Sequence, residues 1–279
     1  MLSGVLGFFA QEQVQEHIAE RAANTAAPSP PPELLFYIGP LEVTNTTLTA
    51  WIVMIILVLF AYFSTRKMEL MPRGVQNFWE LIIELWVGVT ENTMGRRRGR
   101  RFLPLVVTAF LFILFANWFG TLPIGYVTIV NPEGLTVPIL RSVNSDLNMT
   151  AALAILMIVL AEFFELRALR LGGYIKGLVV PNPMRWLEIF TRPLSLSFRL
   201  FGNIFAGEVL LATMLVVAPY VMFVFIGLEL FVGLIQALIF SMLSLVFLSI
   251  ATVHEEVHGH PDEFSTEGET AAVTHGQPI

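Results

Sequence analysis

Long apolar runs alternate with short basic clusters along most of the chain. The first uncharged stretch long enough to cross a bilayer covers residues 47–64. A second runs from 102 to about 118, and a third over about 147–166, with Glu162 and Glu165 near its end. Two further segments, 189–217 and 220–251, are 29 and 32 residues long and flank Ala218-Pro219. A 32-residue helix reaches ~48 Å against a hydrocarbon core of ~30 Å. The last pair is therefore expected as a long, strongly tilted helical hairpin. Between the first two spans, residues 75–94 place Glu80, Glu84 and Glu91 on one helical face, opposite aromatic and aliphatic residues. That pattern predicts an interfacial amphipathic helix. The pattern as a whole predicts an all-α polytopic integral membrane protein with about five spans.

Outside those spans the chain divides simply. Residues 1–46 read as a polar arm and a Pro-rich linker ("AANTAAPSPPPE"), 47–251 as the membrane domain, and 252–279 as an acidic, His-containing tail. The start "MLSGVLGFFA" has no basic n-region and only a very short apolar core, so no cleaved signal peptide is expected. Stretches 65–101, 120–146 and 167–188 are read as connections, the first containing the amphipathic helix and the last a basic loop.

The basic residues then orient the spans. Arg66, Lys67, Arg73 and five arginines between 96 and 101 lie in one connection, and Arg167, Arg170, Lys176 and Arg185 in another. The N-terminal arm has only Arg21 and the 120–146 loop only Arg141. Five spans with the N-terminus outside and the tail in the cytoplasm satisfy every loop.

Composition supports lipid as the main solvent: of 279 residues, 55% are hydrophobic and 14% charged, where soluble domains carry about 25% charged residues. Nucleic acid is not an expected partner, because the basic residues lie in clusters beside apolar segments. With no cysteine, disulfides, thiol catalysis and cysteine metal sites are excluded.

The last hairpin carries charge where charge is costly. "SLSFRLFGNIFAGE" (195–208) contains Arg199 and Glu208 inside an apolar run. Glu208 lies 11 residues before Pro219 and Glu229 lies 10 after it, so antiparallel helices place them at similar depth. Arg199, 20 residues before the turn, and Gln236, 17 after it, lie deeper. Arg199 and Asn203 share one face (i, i+4), as do Glu229, Gly233 and Gln236 (i, i+4, i+7). Carboxylates at this depth can bind and release protons where water reaches them. A guanidinium cannot deprotonate, so Arg199 is a fixed positive charge that repels cations and attracts a carboxylate. An alternative is that Arg199 pairs inside the hairpin and fixes helix register. Nine residues put Arg199 and Glu208 on opposite faces and ~13 Å apart, which disfavours that pair. Glu229 and Gln236 as interhelical glue is a second alternative.

Other polar features point to structure first. In "NSDLNMT", Asn144, Asp146 and Asn148 suit a helix N-cap, with a channel-mouth role for Asp146 and Asn144 as the alternative. Glu162 and Glu165 suit an interface near Arg167 and Arg170. His254, His258 and His260 suit a solvated tail rather than a metal site. "GRRRGRR" is a topology determinant and headgroup anchor.

With these residues in view, "SLSFRLFGNIFAGE" resembles the signature of the a subunit of bacterial F-type ATP synthase, an arginine followed by Leu-Phe-Gly-Asn and then Ala-Gly-Glu. "ELFVGLIQALIFSMLSLVFLSIA" resembles that family's last helix, and "PRGVQNFWE", "NWFGTLP" and "NSDLNMT" fit as well. The resemblance runs from about residue 35 to 256. It implies a non-catalytic stator protein of the membrane Fo sector in the cell (inner) membrane. The implied partners are a rotating ring of c subunits, b subunits of the peripheral stalk and other ATP synthase subunits. Protons would enter one half-channel, protonate a ring carboxylate, and leave by a second, offset half-channel. Arg199 would separate the two, facing the ring carboxylate, and Glu208, Glu229, Asn203 and Gln236 would line the outer one. No cofactor, metal or catalytic residue is expected, and the ATP chemistry would lie in other subunits. Some members carry a glutamate and a histidine where this chain has Glu208 and Glu229, so an imidazole relay is absent and the two carboxylates would titrate as a coupled pair. An independent ion channel or secondary transporter is the alternative class, though neither inverted repeats nor interrupted helices are evident. A purely structural membrane scaffold is a third.

Overall fold

The computed structural model describes residues 32–66, 74–121, 127–132, 134, 136–179 and 184–252. The N-terminal arm up to residue 31 and the histidines of the tail lie outside the described residues.

Among the described residues six α-helices carry the fold: α1 Asn45–Thr65, α2 Val75–Met94, α3 Arg96–Thr121, α4 Leu147–Val179, α5 Met184–Val217 and α6 Met222–Thr252. All but α2 contain stretches long and apolar enough to cross a membrane. The protein is a polytopic, mainly helical membrane protein. Lipid has no groups to satisfy exposed amides, and a helix closes its backbone hydrogen bonds within itself, which is why these apolar runs are helical. Thr44 caps α1, its hydroxyl accepting from the Thr47 amide at 3.3 Å.

Helix α6 is the centre of the bundle. Its packing against α3 is the most extensive in the molecule, followed by α4 against α5 and α2 against α3. Trp86 of α2, Phe102, Val106, Phe110 and Ile113 of α3, and Ala237, Phe240, Leu245 and Leu248 of α6 form the core with Met157 of α4 and Leu200 of α5. The Trp86 and Phe110 rings lie 5.3 Å apart, which anchors the amphipathic helix on α3. Arg98 fastens the basic end of the bundle. Its guanidinium donates to the Met94 carbonyl and to the Thr252 carbonyl, both at 3.0 Å, closing the open end of α6.

Two features depart from the sequence expectation. The stretch after Leu166, expected as a loop, continues α4 to Val179. Tyr174 donates to Glu162 at 2.9 Å across 12 residues. A straight helix would separate them by ~18 Å, so α4 is bent there. The segments before α1 and between α3 and α4 contain two small antiparallel hairpins, β1 Leu34–Ile38 with β2 Leu41–Thr44, and β3 Thr128–Val130 with β4 Thr136–Pro138. Prolines 104 and 193 lie inside α3 and α5, within the spans read from the sequence. Each leaves one carbonyl a turn earlier without its helical donor.

Candidate functional site

Helices α5 and α6 are joined by a tight turn in which Ala218 N–H donates to the Met214 carbonyl and Val221 N–H to the Ala218 carbonyl. Below the turn, the Glu229 carboxylate lies against the α5 backbone at Gly207: a Cβ built there would be 2.1 Å from both carboxylate oxygens. Glu208 is the next residue along, so the two glutamates share one level, as counting outward from Pro219 predicts. Glu229 is 8% exposed.

Deeper in the hairpin, Arg199, Gly202 and Asn203 of α5 face Val232, Ile235 and Gln236 of α6 across an open groove of about 500 Å³. Gln236 is buried, and its amide nitrogen has no hydrogen-bond partner among the described residues. Arg199 is exposed on this face. Among the described residues it makes no ion pair with a carboxylate of the hairpin, so register-setting by an internal pair is not its arrangement here.

The segment between β4 and α4 completes the site from the other side. Arg141 Nε lies 3.0 Å from Glu208 Oε2, with the two side chains 5% and 16% exposed. Ser145 and the Ser142 backbone lie beside the same carboxylate. Sequence reasoning had counted Arg141 only for membrane orientation. Its signal was present nonetheless, as the single basic residue of a connection that precedes a span.

Asn144 and Asp146 take different positions. Asp146 caps α4, accepting from the Asn148 amide at 2.9 Å, and the Thr46 hydroxyl donates to its other oxygen at 3.4 Å. Asn144 points inward, its amide donating to Asn117 Oδ1 at 2.6 Å. Asn117 in turn donates to the Gly233 carbonyl at 3.2 Å, and the Trp118 indole donates to the Leu230 carbonyl at 3.0 Å. Asn117, absent from the sequence-level candidates, thus joins the outer segment to the polar stripe of α6.

The chain is similar to known proteins over this region. Residues 47–249 match the family described as ATP synthase A chain. The chain belongs to that family. The ATP synthase subunit a of Gloeobacter violaceus is 39% identical over 82% of this chain and 90% of its own length. That of Moorella thermoacetica is 34% identical over 82% of this chain and 98% of its own, and that of Mycobacterium leprae 36% identical over 77% and 89%. The part matched to the ATP synthase A chain family takes in α3, α4 and α5 whole and nearly all of α1 and α6, so both polar levels of the hairpin lie within it.

The chemistry available at this site is proton exchange. Carboxylates can take up and release protons, amides can hydrogen-bond to water or a passing group, and the guanidinium stays charged.

Proposed function

We propose that this chain is the stator subunit of the membrane Fo sector that carries protons to and from a rotating ring of c subunits, coupling proton flow to ATP synthesis. The observation that carries the reading is Arg199. It sits at membrane depth, exposed on the groove face of the hairpin, with no carboxylate of its own hairpin paired to it among the described residues. A charge so placed costs at least ~2.5–3.5 kcal/mol unless a partner compensates it. A carboxylate brought past on a neighbouring ring supplies that partner, and the fixed positive charge between two half-channels stops protons from passing directly. Glu208, Glu229, Asn203 and Gln236 line the outer half-channel, with Asn144 and Asp146 near its mouth. The chain is a multi-pass protein of the cell membrane with its N-terminus outside and its tail in the cytoplasm. It assembles with the c ring, the b subunits of the peripheral stalk and other ATP synthase subunits, which hold the phosphoryl chemistry.

The test is ATP-driven proton pumping in inverted membrane vesicles, wild type against Arg199→Ala, with assembly checked by copurification of the ring. Loss of pumping together with a passive proton leak is the expected result. Normal pumping in an assembled Arg199→Ala complex would assign Arg199 a structural role and overturn this mechanism. Purification without any ring of small hydrophobic subunits would favour an independent channel or transporter.

A further inference from the structure

The outer level of the site holds three charged groups, not two: Glu208 of α5, Glu229 of α6 and Arg141 of the segment before α4. We propose that Arg141 holds Glu208 as a permanent carboxylate, so that Glu229 alone of the two glutamates exchanges protons. The proposal rests on the half-channel reading above and divides the labour within it.

The backbone that carries Arg141 is itself held in place. Its amide donates to the Thr49 hydroxyl of α1 at 3.2 Å, and that hydroxyl donates to the Asn45 carbonyl at 2.8 Å. Next to it, the backbone of Ser142 is pressed on Gly120 of α3, where a Cβ would lie 2.3 Å from the Ser142 Cα. The guanidinium is therefore delivered to Glu208 by three elements that are themselves packed. It cannot lose its proton. Protonating Glu208 would take the carboxylate charge away from the Arg141 Nε it faces at 3.0 Å, and breaking a buried pair from one side is costly.

Glu229 is placed differently. Its carboxylate lies across Gly207 from Glu208, and the ion pair of Arg141 is already taken by Glu208. The remaining charged group of the outer segment, Asp146, is occupied by the Asn148 amide and the Thr46 hydroxyl. Counting charges, Glu208 and Arg141 cancel and an ionised Glu229 leaves the cluster at net −1. A proton on Glu229 brings it to zero. The cluster therefore has two states that differ by one proton at one atom group.

The experiment is a substitution cycle in inverted vesicles of the assembled complex, reading ATP-driven pumping with copurification as the assembly check. Glu208→Gln and Arg141→Gln are each expected to lower the rate about tenfold or more, because each breaks the buried pair from one side. The double substitution removes both charges together and is expected to pump clearly faster than either single variant. Glu229→Gln is expected to abolish pumping in either background. An assembled double variant as inactive as the single ones overturns the proposal, as do a wild-type rate in Glu208→Gln or in Glu229→Gln. Where Arg141→Gln does not assemble, Arg141→Lys keeps the charge and is expected to assemble and pump; an assembled Arg141→Lys complex that does not pump also overturns it. Arg199→Ala leaves the Arg141–Glu208 pair untouched, so failure of the half-channel reading is recognised separately.

Discussion

A methyl group on Gly207 of α5 would sit 2.1 Å from both carboxylate oxygens of Glu229 on α6. The absence of a side chain at Gly207 is what lets the carboxylate lie against the neighbouring helix. Gly207→Ala must either swing Glu229 out or part the two helices. Reduced pumping in a complex that still assembles is expected. A wild-type rate would mean that Glu229 works equally well from another position.

Gly120 presents a harder clash, because its neighbour is backbone. The Cα and N of Ser142 lie 2.3 and 2.4 Å from where a Cβ on Gly120 would be. Gly120→Ala is expected to push the Arg141–Ser145 segment off α3 and to destabilise the chain by about 1–3 kcal/mol or more. Thermal unfolding of the detergent-purified complex measures this, and an unchanged midpoint would show that the segment can relax.

Asn117 stands between Asn144 and the Gly233 carbonyl. Asn117→Ala removes both hydrogen bonds and strands the buried Asn144 amide, at about 1–3 kcal/mol. The same thermal measurement should register the loss. Stability equal to wild type would indicate that water replaces the missing amide.

The orientation is testable because the chain has no native cysteine. Thr136 and Asn92 are both exposed and lie in connections assigned to opposite sides. Thr136→Cys is expected to react with a membrane-impermeant thiol reagent in intact cells, and Asn92→Cys only in inverted vesicles. The reverse pattern would invert the topology and exchange the two half-channels.

The spans, the amphipathic helix and the level of each polar group in the last hairpin were legible because they depend on local quantities. Helix rise and hydrocarbon thickness convert a run of apolar residues into a span, and counting from Pro219 set Glu208 beside Glu229 and Arg199 near Gln236. The extension of α4 to Val179 was not legible, since a basic, Gly-containing stretch reads equally as a loop until Tyr174 is seen to reach Glu162. The two β-hairpins were hidden for a related reason: strands of three to five residues give too short a pattern to separate from turn.

Sequence by itself determined which stretches are long and apolar enough to cross a membrane, and how far along and on which face of its own helix each polar group lies, because each of those follows from a period of 3.6 and a fixed rise. Tertiary structure alone decided who meets whom between elements. Arg141 and Glu208 are 67 positions apart, and Asn117 and Gly233 are 116 apart. Bringing such groups together requires one helix to be packed against another at a particular rotation, and that rotation is set by the shapes of many side chains and by the gaps left at Gly120 and Gly207.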